Sequence, residues 1–194
     1  MARGSLLYLG TTDGLLIYSA TDAGAAPVGR ALGGHAITAV LALDAATLLV
    51  APEGLPPQQS FDGGASWSAA PGADVAPVGL RAATAYGPVE LRNPRLMGAT
   101  AYALLEGRPA VLLGAGAGGM MLFRSFDDGI HWEPAAMPGG AGRITALAPG
   151  PGPTAWAGTD EGLLLRSDDR GATWREAARV GSGIICLAAT AASL

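Results

Sequence analysis

Ser60-Phe-Asp-Gly-Gly-Ala-Ser-Trp67, Ser125-Phe-Asp-Asp-Gly-Ile-His-Trp132 and Ser167-Asp-Asp-Arg-Gly-Ala-Thr-Trp174 are three copies of one octet, Ser-x-Asp-x-Gly-x-x-Trp. An eroded fourth copy begins at Ser19, keeping Asp22 and Gly24 but shifting the acid and losing the tryptophan. The leading serines lie 41, 65 and 42 residues apart, so the unit is about 42 residues long. One interval is longer, and its surplus falls within residues 78–100, between the second and third copies. A fixed period of this length is the mark of a repeat architecture.

The residues upstream of each octet repeat as well. Leu7-Tyr-Leu-Gly-Thr-Thr-Asp-Gly-Leu-Leu-Ile-Tyr-Ser19 parallels Ala155-Trp-Ala-Gly-Thr-Asp-Glu-Gly-Leu-Leu-Leu-Arg-Ser167, and Ile37-Thr-Ala-Val-Leu parallels Ile144-Thr-Ala-Leu. Each unit reads as short strand, turn, strand, acidic-Gly turn, strand, Asp-Gly turn and a Trp-led outer strand. Four strands in about 42 residues is the grammar of a propeller blade. The chain begins with a second-strand segment, Leu6-Leu-Tyr-Leu-Gly, and ends after a first-strand segment, Ile184-Ile-Cys-Leu-Ala. Pairing them completes one blade and hides an edge. The expected fold is therefore all-β: a single domain over residues 1–194, a small β-propeller of about four four-stranded blades, its ring closed by the two terminal strands. A five-blade ring that uses residues 78–100, or two chains completing one larger ring, remain open alternatives.

The octets resemble the BNR or Asp-box repeats of sialidase-like propellers, sortilin-type receptors and photosystem II assembly and stability factors. The likeness runs from about Leu6 to Leu194. It implies a structural role for Ser60, Asp62, Gly64 and Trp67, for Ser125, Asp127, Gly129 and Trp132, and for Ser167, Asp169, Gly171 and Trp174. Physical chemistry agrees. An Asp can accept the N–H groups of its own turn, a Gly supplies positive φ, and a Trp wedges between blades.

Composition narrows the function. Apolar residues make up 49% of the 194 and charged ones 14%, enough for a core and too little charge for disorder. Twelve arginines, no lysine and 16 acids give a net charge of −4, which argues against a nucleic-acid groove. One cysteine, Cys186, excludes an internal disulfide framework, and two histidines, His35 and His131, leave little for a metal; no cofactor is expected. No secretory stretch or membrane-length apolar run is present, so a cytoplasmic location is expected. Gly114-Ala-Gly-Ala-Gly-Gly119 matches a dinucleotide pattern but leads straight into the second strand of a hairpin, not a helix.

Two sets of side chains are candidates for binding. Asp13, Glu53, Asp160 and Glu161 fill the acidic-Gly turns, on the rim opposite the octets, where they would hold a cation or basic partner or simply make good hairpins. Arg81, Arg92, Arg95 and Arg108 crowd the long interval with Tyr86, Glu90 and Tyr102. A sialidase-type site draws its arginines from several blades, so these point to contact and not catalysis. The expectation is a non-catalytic interaction, assembly or accessory subunit, with a protein partner or a second copy, and peripheral association with a membrane complex possible. The alternative is a carbohydrate-binding or glycosidase-like propeller. Cys186, flanked by Ile and Leu, is expected to be packing.

Overall fold

A computed structural model describes residues 4–70, 72, 81–84, 89–91 and 94–191. It contains four antiparallel four-stranded sheets, the blades of a small propeller. The first joins β18 (Ile184–Ala191) to β1 (Ser5–Thr11), β2 (Gly14–Thr21) and β3 (Gly24–Ala31). The second runs β4 (Ile37–Ala42), β5 (Leu48–Pro52), β6 (Gln58–Ser60) and β7 (Ser68–Ala69). The third is β10 (Ala101–Leu105), β11 (Val111–Gly116), β12 (Met121–Ser125) and β13 (Glu133–Pro134). The fourth is β14 (Ile144–Pro149), β15 (Ala155–Thr159), β16 (Leu163–Ser167) and β17 (Arg175–Arg179). The terminal strands pair as the repeat phase requires: Leu6 faces Thr190 and Leu9 faces Leu187.

Burial peaks in the middle strands of a blade and is least in the outermost. Every residue of β11, β15 and β16 is buried, because both faces of these strands meet neighbouring sheets, whereas β13 and β7 are exposed. Three apolar clusters lie between blades. Leu15, Ile17, Leu48 and Val50 join the first to the second; Leu7, Leu9, Trp156 and Leu164 join the fourth to the first; Leu113, Leu122, Leu147 and Leu165 join the third to the fourth. The blades therefore follow one another in space as third, fourth, first, second.

The same seam recurs at each junction. The hydroxyl of Thr100 donates to the Ile144 carbonyl at 2.8 Å, Thr145 donates to the Ile184 carbonyl, and the Cys186 thiol donates to the Ile37 carbonyl at 3.3 Å. A glycine lies at each of these contacts. A Cβ on Gly119 would stand 2.6 Å from the Ile144 oxygen, one on Gly158 2.5 Å from Ile184 Cγ2, and one on Gly10 2.9 Å from the Ile37 oxygen. The three isoleucines are almost wholly buried.

Within the long interval, β8 (Arg81–Ala82) pairs with β9 (Val89–Glu90), and Ala83 bridges to Ala103 in parallel. Leu91, Leu96 and Ala99 pack on the face of the third blade turned away from the fourth, against Tyr102, Leu112 and Trp132. The interval thus supplies packing, not a bare loop. Residues 71, 73–80, 85–88 and 92–93 lie outside the described residues, Arg92 and Tyr86 among them.

Cys186 reports on the closing strand. Burial pushes its thiol up to about 12 against the pull of the Gly10 N–H, so little thiolate exists near neutrality. Native protein at pH 8 should resist alkylation, and labelling in rising denaturant should follow the global unfolding curve. Labelling at the rate of a free thiol without denaturant would show that β18 is not docked.

Candidate functional site

The octets fold into three superimposable corners. In each, the serine hydroxyl accepts from the glycine N–H and donates to the Asp carboxylate: Gly64 to Ser60 Oγ at 2.8 Å and Ser60 to Asp62 Oδ1 at 2.8 Å in the first. The corresponding distances are 2.9 and 2.9 Å at Ser125, and 2.8 and 2.8 Å at Ser167. The indole Nε1–H then donates back to the glycine carbonyl, Trp67 to Gly64 at 3.0 Å, Trp132 to Gly129 at 2.9 Å and Trp174 to Gly171 at 3.1 Å. Each glycine has positive φ, +95°, +85° and +81°, which a side chain would strain.

Sequence reasoning missed one member of this network. The residue before each tryptophan also binds the aspartate: Ser66 N–H to Asp62 Oδ1, His131 N–H to Asp127 Oδ1 and Thr173 N–H to Asp169 Oδ1, all at 2.9 Å. Their side chains reach the second oxygen, with His131 Nδ1 2.6 Å from Asp127 Oδ2 and Thr173 Oγ1 2.6 Å from Asp169 Oδ2. Ser, His and Thr share a polar group at that reach, the signal that could have marked a position read as variable. Hydrogen bonds from Ser66 hold the Asp62 carboxyl at about 2, and those from His131 hold Asp127 at about 2. Desolvation pulls Asp169 upward, yet hydrogen bonds from Thr173 and Ser167 outweigh it and keep the carboxyl below its ordinary value.

The tryptophans face the sheet before their own. Gly64 lies against Ile17 of the first blade and Gly171 against Leu113 of the third, while Gly129 meets Pro94 of the interval. Trp174 is buried in the cluster between the third and fourth blades. The eroded first copy is built differently. Asp22 caps no turn of its own but accepts from Arg166 Nη2 at 3.0 Å, and the Thr21 carbonyl accepts from Nη1 of the same guanidinium.

The candidate rim residues divide between two faces. Asp13, Glu53, Asp160 and Glu161 occupy turns opposite the octets. Asp13 is engaged by Arg30 at 2.6 Å and by the Gly34 N–H at 3.1 Å; Asp160 accepts from the Arg143 N–H at 2.9 Å. Glu53 and Glu161 are exposed. Among the described residues no three His, Cys, Asp or Glu side chains gather as a metal cage. Arg95 lies instead on the octet side, its N–H bonded to the Gly129 carbonyl at 3.0 Å. Arg108 shares that side, in a loop whose Pro109 carbonyl accepts from Arg170. Arg81 sits in β8 opposite Glu90. Tyr102 is a core side chain whose ring centroid lies 6.1 Å from that of Trp132. Residues 114–116 end β11 and Ala117–Gly119 form a single 3-10 turn before β12, with no α-helix after the glycines. No helix among the described residues is long and apolar enough to cross a membrane.

Two measurements test the corners. Trp174→Ala should cost about 3–5 kcal/mol by thermal melting, as truncation of a buried wedge does. Asp169→Ala should cost less, about 1–3 kcal/mol, for turn donors left unpaired. Loss of a ligand without loss of stability would reverse that reading. Acid provides the second test. Carboxyls lowered on folding stabilise above the unfolded value of 3.8, and that contribution fades as pH falls through about 2. The melting temperature should therefore drop between pH 4 and 2, and Asp62→Asn with Asp127→Asn should blunt the drop.

No protein-family model matches this chain, and no curated protein does. Among solved structures it is similar to YCF48 bound to a D1 peptide (16% identity, 90% of this chain and 49% of that one, TM-score 0.27). It is also similar to a nidogen/laminin complex (11%, 93% and 64%, 0.40) and to the GH74 enzyme of Niastella koreensis (18%, 91% and 24%, 0.29). The chain thus spans about half of the first of these and just under two thirds of the second.

Proposed function

We propose that this chain is a non-catalytic interaction or assembly module, a propeller of the Asp-box repeat type that presents one rim to a protein partner. The observation that carries this reading is a group of exposed methionines opposite the octets. Met97 is 88% exposed, Met120 59% and Met121 45%. Backbone bonds hold their turns side by side: Ala117 N–H to the Met97 carbonyl at 3.0 Å and Gly118 N–H to the Gly98 carbonyl at 2.8 Å. Arg143 braces the same turn through the Gly118 carbonyl at 3.1 Å.

Methionine side chains are flexible and polarizable, and serve surfaces that mould to an apolar partner. Fixing their backbone lowers the ordering cost of docking. Met97 belongs to the long interval, and insertions in repeat proteins tend to map to the binding face. The fit is to a partner segment bearing apolar side chains.

Capture from native lysate with mass spectrometry tests the reading, comparing the wild type with Met97→Glu/Met120→Glu. A partner held by the wild type and lost by the double variant, at unchanged melting temperature, is the expected result. Equal recovery by both proteins would remove the methionines from the role, and turnover of fluorogenic glycosides would overturn the non-catalytic reading.

A further inference from the structure

The sulfur atoms of this chain are unevenly placed. It carries five methionines and one cysteine. Cys186 is packed on the closing strand, its thiol donating to the Ile37 carbonyl at 3.3 Å and pushed up to about 12 by burial. Peroxide attacks the thiolate, so this sulfur is protected by packing and by protonation together. Met137 is half-buried against the cluster between the third and fourth blades. Met97, Met120 and Met121 are exposed on the rim opposite the octets, Met97 in the long interval and the other two where β12 begins. Met1 lies outside the described residues.

Apolar area alone does not call for sulfur. Leucine fills much of the core here, and it substitutes for methionine at nearly constant volume. What the thioether adds is its chemistry. A peroxide oxidises an exposed thioether without help from any other side chain. A sulfur lone pair attacks one peroxide oxygen, the O–O bond breaks, and the departing oxygen takes up a proton and leaves as water. Sulfur gives up two electrons, and the peroxide is reduced by them. The product is a polar sulfoxide, whose oxygen would be left unpaired against an apolar partner. The fold has no stake in the step. Ala117 N–H bonds the Met97 carbonyl, Gly118 N–H the Gly98 carbonyl, and Met121 pairs with Gly116, all through backbone and none through sulfur.

We propose that Met97, Met120 and Met121 form a reversible oxidation site, which peroxide converts from an apolar rim to a polar one on an unchanged fold. A thiol-dependent sulfoxide reductase reverses the step: two thiols become a disulfide, and the sulfoxide oxygen leaves as water. The consequence for function, release of the partner on oxidation, rests on the interaction reading above; the change of the surface itself does not.

Dilute hydrogen peroxide on the folded protein, followed by peptide mass spectrometry, should place one oxygen on each of Met97, Met120 and Met121 while Met137 and Cys186 stay unmodified. Retention on a phenyl column reads the apolar character of the rim without any partner. It should fall on oxidation at unchanged melting temperature and return after treatment with the two epimer-specific sulfoxide reductases. Met97→Leu/Met120→Leu/Met121→Leu keeps Met1 and Met137 as internal controls, and its retention should not respond to peroxide. Oxidation of Met137 or Cys186 at the same rate, a lowered melting temperature, unmoved retention, or an equal response of the leucine variant overturns the proposal. So does capture from lysate, by the oxidised protein, of a partner that Met97→Glu/Met120→Glu loses. Failure of the interaction reading is distinguishable: the reduced wild type and the glutamate variant then recover the same proteins, while phenyl retention still follows oxidation.

Discussion

One contact geometry governs the molecule: the inner strands of the fourth, first and second blades each present an isoleucine carbonyl to a hydroxyl or thiol of the blade before. Thr100, Thr145 and Cys186 are the donors, and Ile144, Ile184 and Ile37 the acceptors. Thr145 and Cys186 are half-buried, where a lost bond leaves a polar atom unsatisfied in a region poor in water, whereas Thr100 is exposed. Glycines at 119, 158 and 10 bring the backbones near enough for these bonds to form. Leucine and alanine then fill the wedge-shaped space outside this inner line, and the outer strands need little burial. Because Cys186 lies on β18, the strand that completes the first blade also supplies the donor that joins it to the second.

Much of this was legible in the chain. The octets gave the blade length and the corners, since Ser, Asp, Gly and Trp at fixed spacing have few other uses. The matching phases of Leu6–Gly10 and Ile184–Ala188 foretold their pairing. The seam was not legible, because a threonine and a cysteine at equivalent places look like different residues until one sees that both only need to donate. Cys186 read as packing on composition; it packs, and it donates too. His131 looked like filler for the same reason, its partner being the third residue of its own octet.

Placement of the candidate rim residues failed to emerge for a topological reason. Arginines 81, 92, 95 and 108 are neighbours in sequence, but a blade sends alternate connections to opposite rims. Arg95 and Arg108 therefore join the octet side, while Asp13, Glu53, Asp160 and Glu161 take the other. Closeness along the chain is a poor guide where the strand is the unit of travel. The long interval also conceals its purpose in sequence. Leu91, Leu96 and Ala99 are ordinary apolar residues until they are seen covering Tyr102 and Leu112.

The eroded first copy shows what a repeat can lose. Without its tryptophan, the first blade cannot wedge against the fourth as the others wedge against their neighbours. The substitute is an ion pair spanning 144 residues of chain, Arg166 to Asp22. Asp22 is exposed and Arg166 is not, so the attraction is screened on one side and the desolvation falls mainly on the arginine. That cost is tolerable because Thr21 and Asp168 satisfy the remaining edges of the guanidinium and the indole of Trp156 lies beside it. Such a clamp fixes direction more than it fills volume. A tryptophan would have occupied the space and paired its own nitrogen with a glycine carbonyl; the arginine leaves a cavity of about 150 Å³ between the fourth and first blades.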